Sequence, residues 1–226
     1  GLGYFSVAMG FGILAINLKI SAFFAWLISA TNLTSAGQAA GVEVIAAGGT
    51  LIEMALTQLV INLRYSLMGF SLTQKLDDSF TTPKRLVLSM GITDEIYAMA
   101  ISQKGKISPA YMTGLIIIPF IGWTSGTVVG AFASQILPEI ISDVMGIMLY
   151  GMFIAIIVPP MKKSRSTLVV VCIAIILSCL FAYVPGLKNV SVGFTIIICA
   201  VVASVIGAIF FPVNDVEDEN EEEDAE

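Results

Sequence analysis

The chain has no histidine, three cysteines and charged side chains at only 12% of its 226 positions. Each shortage excludes something. Without imidazole no intramembrane Ser–His dyad can form in spite of the Ser125-Gly126 pair, which leaves an intramembrane hydrolase a distant third reading. Any proton that moves along the chain has to travel on a carboxylate. Cys172, Cys179 and Cys199 show no metal-ligand spacing and fall in apolar runs, where they read as small buried hydrophobes. No G-x-x-x-x-G-K-[ST] segment occurs, so the chain does not itself read as an ATPase. Nothing points to a metal, another cofactor, an enzymatic centre or nucleic acid.

What the chain has instead is apolar length. Hydrophobic residues make up 57% of it and the mean hydropathy is +0.91, whereas soluble domains carry charge on roughly a quarter of their residues. Runs of ~20 apolar residues cross a bilayer, and these runs lack the alternation of a barrel strand. The expected fold is an all-α integral membrane protein in a lipid bilayer, with about seven or eight transmembrane helices. The spans fall near 1–18, 21–48, 51–74, 86–103, 109–136, 139–158, 167–184 and 190–211, with a polar loop at 75–85 and with Pro159 and Pro160 closing the sixth helix. The start at Gly1, without methionine and already apolar, reads as that of a fragment; no basic start or small-residue cleavage site marks 1–18 as a signal peptide. Net charge is −6, but the tail "DVEDENEEEDAE" (215–226) holds nine acids and leaves +3 on the rest. Residues 212–226 are expected to be disordered and solubilising. Lys19, Lys75, Lys84, Arg85 and Lys188 flank one membrane face and Lys104, Lys106, Lys162, Lys163 and Arg165 the other, a balance that sets no orientation.

Short echoes suggest an internal repeat. "LKIS" (18–21) returns as "GKIS" (105–108), "LTSAG" (33–37) as "WTSGT" (123–127), and "INLRY" (61–65) as "IMLYG" (147–151), at nearly constant offset. Two three-helix units, 1–74 and 86–160, follow, with two C-terminal helices in 161–211. An odd helix count turns the second unit over, giving inverted-topology repeats as in many secondary transporters.

Charge inside the spans is the sharpest signal. Between Glu53 and Lys75 the only charged residue is Arg64, near the segment's midpoint. At a helix centre an arginine costs ~2.5–3.5 kcal/mol on insertion scales. The span at 86–103 carries Asp94 and Glu95 at its own middle. Opposite charges at matching depth on two spans imply mutual neutralisation, either as a purely architectural ion pair or around a bound ion or zwitterion. Asp94 and Glu95 are also the first candidates for carrying a proton, with Asp143 and Glu53 behind them.

Around that pair the polar residues fall into rows. Gln58, Asn62, Tyr65, Ser66, Gly69 and Thr73 share one side of the third helix, and Arg64 lies opposite with Thr57 and Ser71. A helix polar on two sides is expected at the bundle centre, or broken near Arg64. "SATNLTSAGQAAG" (29–41) and "PFIGWTSGTVVG" (119–130) replace large apolar residues with small and hydroxyl ones at corresponding places in the two units. Such segments read either as discontinuous helices, whose exposed N-termini hold a carboxylate, or as close helix packing of the GxxxG kind. On the first reading Ser35, Gln38, Thr124 and Ser125 are hydrogen-bonding contacts.

"LTSAGQ" (33–38), "INLRYSLMG" (61–69), "ITDEIYA" (92–98), "GWTSGTVVG" (122–130) and "LYGMFIAIIVPP" (149–160) stand in this order. With these segments the chain resembles the AzlC family, the large subunits of branched-chain amino acid export permeases, over about residues 1–211. The resemblance implies an all-helical protein of the bacterial inner membrane that exports leucine, isoleucine, valine and often azaleucine, with a small AzlD-type membrane subunit as partner. It places Asn62 and Arg64 in the family's N-L-R motif and Asp94 and Glu95 in its D-E pair. Tyr65 stands where many members have histidine, and Ala39 where they often have an aromatic residue. The expected mechanism is proton-driven alternating access. The substrate carboxylate meets half-helix N–H groups or Arg64, and its ammonium meets Asp94 or Glu95. A channel for a small polar solute and a non-transporting scaffold subunit are the alternatives.

Overall fold

The computed structural model describes residues 1–134, 136, 151, 153–155 and 157–211. Most of the sixth expected span, with Asp143 and all of "IMLYG" but Gly151, and the acidic tail lie outside the described residues. The described secondary structure is helical apart from one isolated bridge between Leu76 and Ile107. The chain divides into two compact units, Gly1–Ile154 and a second beginning at Ala155.

The first unit contains α1 (Leu2–Asn17), α2 (Ala22–Thr31), α3 (Ser35–Ala46), α4 (Leu51–Thr73), α5 (Thr82–Ser89), α6 (Asp94–Ile101) and α7 (Pro109–Ala133). The second contains α8 (Arg165–Tyr183), a 3₁₀ turn at Leu187–Asn189 and α9 (Val192–Phe210). By length and composition α7, α8 and α9 are each apolar enough to cross a membrane. The fold is thus a multi-span, largely helical one.

Two expected spans are broken, and only one of the breaks was foreseen. The second span divides into α2 and α3 because Asn32 and Thr34 adopt extended backbone. The Thr34 hydroxyl donates to Asn32 Oδ1 at 2.7 Å, a local bond that competes with the helix. The fourth span, expected as one helix over 86–103, begins earlier, at Thr82 with Pro83 in its first turn, and breaks at 90–93 into α5 and α6. Thr93 is extended and its hydroxyl accepts the Ile96 N–H at 3.3 Å, so a new helix starts there with Asp94 and Glu95 in its first turn. The fifth span, where the sequence leaves a discontinuous helix and close packing through small residues both open, is the unbroken α7, which runs through Pro119. Nor do Pro159 and Pro160 close a helix: residues 157–163 are helical, and the stretch ends before Ser164. Proline removes a backbone donor but leaves the chain after it free to stay helical; the Ser164 side chain then caps α8 at Thr167 N, 3.2 Å away.

The glycines of α7 explain its continuity. Gly126 and Gly130 form a ridge against which the α1 backbone lies directly. A Cβ at Gly130 would stand 2.8 Å from Met9 Cα, and one at Gly126 would stand 3.0 Å from the Phe5 carbonyl carbon. The segment is therefore a close-packing seam. Around it Phe11, Ala15, Ala25 and Val42 form one buried cluster, and Ala8, Leu33 and Trp123 another. Gly130→Ala is expected to lower the melting temperature in detergent by several degrees, because backbone cannot step aside. Gly114→Ala on the same helix, where nothing lies within 4 Å of the new Cβ, should leave it unchanged or higher.

Helix α4 is neither broken near Arg64 nor enclosed at the centre. Its polar rows are buried or half-buried apart from Ser66 and Thr73, and the third face, Leu59, Leu63, Leu67 and Phe70, is exposed. In a membrane protein that apolar row meets lipid or another chain. The loop after α4 is a clasp as much as a linker. Lys75 Nζ donates to the carbonyls of Ile101 and, at 3.0 Å, Gln103, closing the C-terminal end of α6. In the repeat echo, Ser21 and Ser108 both cap the next helix, accepting from Phe24 N at 3.4 Å and Tyr111 N at 3.3 Å. The two breaks fall at non-corresponding positions, in the second and fourth spans. In the second unit α8 has no buried residue, so Cys172 and Cys179 are exposed, contrary to expectation; only Cys199 is buried. Both sit on an apolar helix surface that would face lipid.

Candidate functional site

The opposite charges of the third and fourth spans do meet. Arg64 projects from the middle of α4, and its Nη2 lies 3.0 Å from Asp94 Oδ2, at the first position of α6. The same nitrogen donates to the Tyr65 hydroxyl at 3.0 Å, and the guanidinium carbon sits 4.9 Å from the centre of the Tyr65 ring. The pair is partly open, with side-chain exposures of 41% for Arg64 and 34% for Asp94. Two and three turns before Arg64 on the same row of α4, Thr57 and Glu53 are buried, and Ser71, two turns after it, shares a 3.0 Å hydrogen bond with Tyr97 of α6.

Glu95 points elsewhere. Consecutive helical residues diverge by ~100° and do not share a neighbour. Glu95 is exposed and accepts a hydrogen bond from the Tyr4 hydroxyl of α1 at 2.7 Å. That hydroxyl also meets Thr93 Oγ1. The Tyr4 ring packs edge-on against Trp123 of α7, with centroids 5.8 Å apart.

Trp123 leads to the other break. Its Nε1 donates to Gln38 Oε1 at 2.8 Å, Gln38 Nε2 donates to Ser29 Oγ at 2.9 Å, and Ser29 shares a 2.7 Å hydrogen bond with Thr127. Ser29, Gln38 and Thr127 are all fully buried. This network ties α2, α3 and α7 together across the Asn32–Thr34 break. On the facing side of α4, Gln58 Nε2 donates to the Gly37 carbonyl at 2.8 Å, and Asn62 Nδ2 donates to Gln58 Oε1 at 3.0 Å. Among the described residues Asn62 Oδ1 and Thr57 Oγ1 are buried with no hydrogen-bond partner, each an arrangement that costs ~1–3 kcal/mol unless a partner arrives. A cavity of about 170 Å³ lies here, lined by Asn32, Gly37, Gln38, Met54 and Gln58 among others. A larger apolar cavity of about 370 Å³ touches both breaks, through Thr31 and Leu33 on one side and Met90 and Gly91 on the other.

The residues anticipated from the sequence thus separate. Arg64 and Asp94 come together, with Glu95 beside them. Asn62 stands two residues from Arg64 on the row that faces α3, and Ser35 opens α3 just after the break. Gln38 already has both ends of its amide engaged by protein. Thr124 and Ser125 donate to the carbonyls of their own helix, Phe120 O at 2.8 Å and Ile121 O at 2.6 Å. Tyr4, Thr93 and Trp123 did not stand out in the sequence. Their signal was present nonetheless: Thr93 precedes Asp94-Glu95 as a helix cap would, and buried tyrosine and tryptophan require a partner for their polar ends.

Residues 1–137 match the family described as AzlC protein. The chain belongs to the AzlC family. It is 27% identical over 172 residues to the inner membrane protein YgaZ of Escherichia coli strain K12, covering 73% of this chain and 70% of that protein. It is 24% identical over 163 residues to an uncharacterized membrane protein of Archaeoglobus fulgidus, covering 71% of each. No solved structure matches it. As an AzlC protein it is a multi-pass membrane protein of the permease kind, and AzlC proteins are transport proteins rather than enzymes. The matched region contains α1–α7, and with them the ion pair and both breaks.

Proposed function

We infer that this AzlC protein is a secondary transporter exporting branched-chain amino acids, leucine, isoleucine and valine with analogues such as azaleucine, from a bacterial cell through its inner membrane. The observation that carries the reading is the 3.0 Å pair between Arg64 on an unbroken helix and Asp94 at the start of a half-helix. A guanidinium and two carboxylates at the start of a half-helix suit a zwitterion. The substrate carboxylate meets Arg64 or the N–H groups at the start of α3 near Ser35. Its ammonium meets the acids of α6, and Asn62 Oδ1 offers a further acceptor. The apolar cavity at the two breaks suits a branched side chain, since its size falls within the range of ligand pockets, ~300–1,000 Å³.

Alternating exposure comes from rocking of two inverted three-helix units, 1–74 and 86–160, a division favoured by the shared Ser21 and Ser108 caps. The proton motive force drives the cycle through Asp94 or Glu95. A small AzlD-type subunit completes the permease. Counterflow of labelled leucine into proteoliposomes, with the small subunit and with or without a proton gradient, tests this. Saturable leucine-dependent uptake is expected. Unsaturable flux would point to a channel, and absence of flux to a scaffold.

A further inference from the structure

We propose that Tyr4 is a positioning residue that holds Glu95 away from Arg64, so that Glu95, not Asp94, is the carboxylate that receives the ammonium group of the substrate. This deepens the reading as an amino acid transporter and rests on it.

Hydrogen accounting fixes the direction of the contacts. A hydroxyl has one proton to give and two lone pairs to receive with. Tyr4 gives its proton to Glu95, so at Thr93 it must accept, and Thr93 is the donor there. Thr93 in turn accepts the Ile96 N–H. The order is Ile96 N–H to Thr93, Thr93 O–H to Tyr4, Tyr4 O–H to Glu95, and every proton in it is committed. The aromatic ring is braced by Trp123, which meets it in a T-shaped contact with centroids 5.8 Å apart and is itself anchored at 2.8 Å to Gln38.

The charges divide accordingly. Asp94 is neutralised by Arg64 at 3.0 Å. Glu95 has no cation within ion-pair distance among the described residues, and its partner is a neutral phenol. Around Glu95, α4 presents Arg64 and Tyr65, which bond each other, and α1 presents Tyr4. The one ionisable side chain of α7, Tyr111, packs into an apolar cluster with Ile96 and Met112. The group of Arg64, Asp94 and Glu95 therefore carries one negative charge in excess, and it resides on an exposed side chain. An ammonium placed there forms a charged hydrogen bond without first breaking an ion pair, whereas the same group approaching Asp94 must compete with a guanidinium. Loss of one hydrogen bond to a charged group weakens binding about 10- to 100-fold.

The test compares leucine with its des-amino analogue 4-methylpentanoate, which keeps the carboxylate and the side chain. Ligand-induced shifts of the melting temperature are read on the purified full chain, so no transport is needed. Wild type should bind leucine better than the analogue. Glu95→Gln should erase that preference by weakening leucine about 10-fold or more while leaving the analogue unchanged. Tyr4→Phe, which keeps the ring against Trp123, should weaken leucine several-fold and spare the analogue. Asp94→Asn should weaken both ligands alike, through Arg64. Selective loss of leucine in Asp94→Asn, or equal loss of both ligands in Glu95→Gln or Tyr4→Phe, would overturn the assignment. Failure of wild type to respond to either ligand would instead count against the transport reading.

Discussion

Arg64→Ala is expected to reduce leucine counterflow to background, a fall of about 100-fold or more, while the protein still inserts. Two physical facts support both halves. Arg64 is the only cation between Glu53 and Lys75, so nothing nearby on α4 takes over the substrate carboxylate. Asp94 is left without its partner, but it is already about one-third exposed, so water can reach it and the fold need not collapse. Arg64→Lys is the informative intermediate. Lysine keeps the charge but lacks the planar group that both meets Asp94 and lies over the Tyr65 ring at 4.9 Å. It should retain part of the flux with a raised KM. Full flux in Arg64→Ala, with normal membrane levels, would remove Arg64 from the mechanism.

Gln38→Leu is expected to act on stability before it acts on transport. The Gln38 side chain is buried at 1% exposure and joins Trp123 to Ser29. Leucine is of similar size but cannot accept the indole N–H. An orphaned buried donor costs about 1–3 kcal/mol. Ser29 keeps its bond to Thr127, so that hydroxyl is not orphaned as well. The melting temperature in detergent should therefore drop by several degrees whether or not substrate is present. Had Gln38 been a substrate ligand with a free amide, the apo protein would be little changed and only the leucine-induced shift would shrink. The two outcomes separate a strut from a binding group.

The difference between what could be read from the sequence and what could not has physical causes. Membrane class and the pairing of Arg64 with Asp94 of α6 were legible because bilayer thickness dictates helix length and because a charge at mid-depth requires a partner. The α2–α3 break was legible from Asn, Thr and Ser replacing bulk. The α5–α6 break was missed because hydropathy alone makes 86–103 continuous, although Thr93-Asp94-Glu95 is a cap followed by an acidic first turn. Break and close packing stayed open for α7 because the same glycines serve equally for flexibility and for close approach, and only the position of α1 decides between them. Tyr4 and Gln38 depended on partners 91 and 85 residues away in the chain, which no local pattern encodes.

The double substitution Arg64→Met with Asp94→Asn tests the central claim most directly. Removing both members of an ion pair, unlike removing one, leaves no unpaired charge between them and is often near neutral for stability. If the pair exists to clasp a solute, this variant should insert and melt like wild type yet show no leucine counterflow. Wild-type counterflow in the variant would mean that the pair is architectural and that the substrate is held elsewhere.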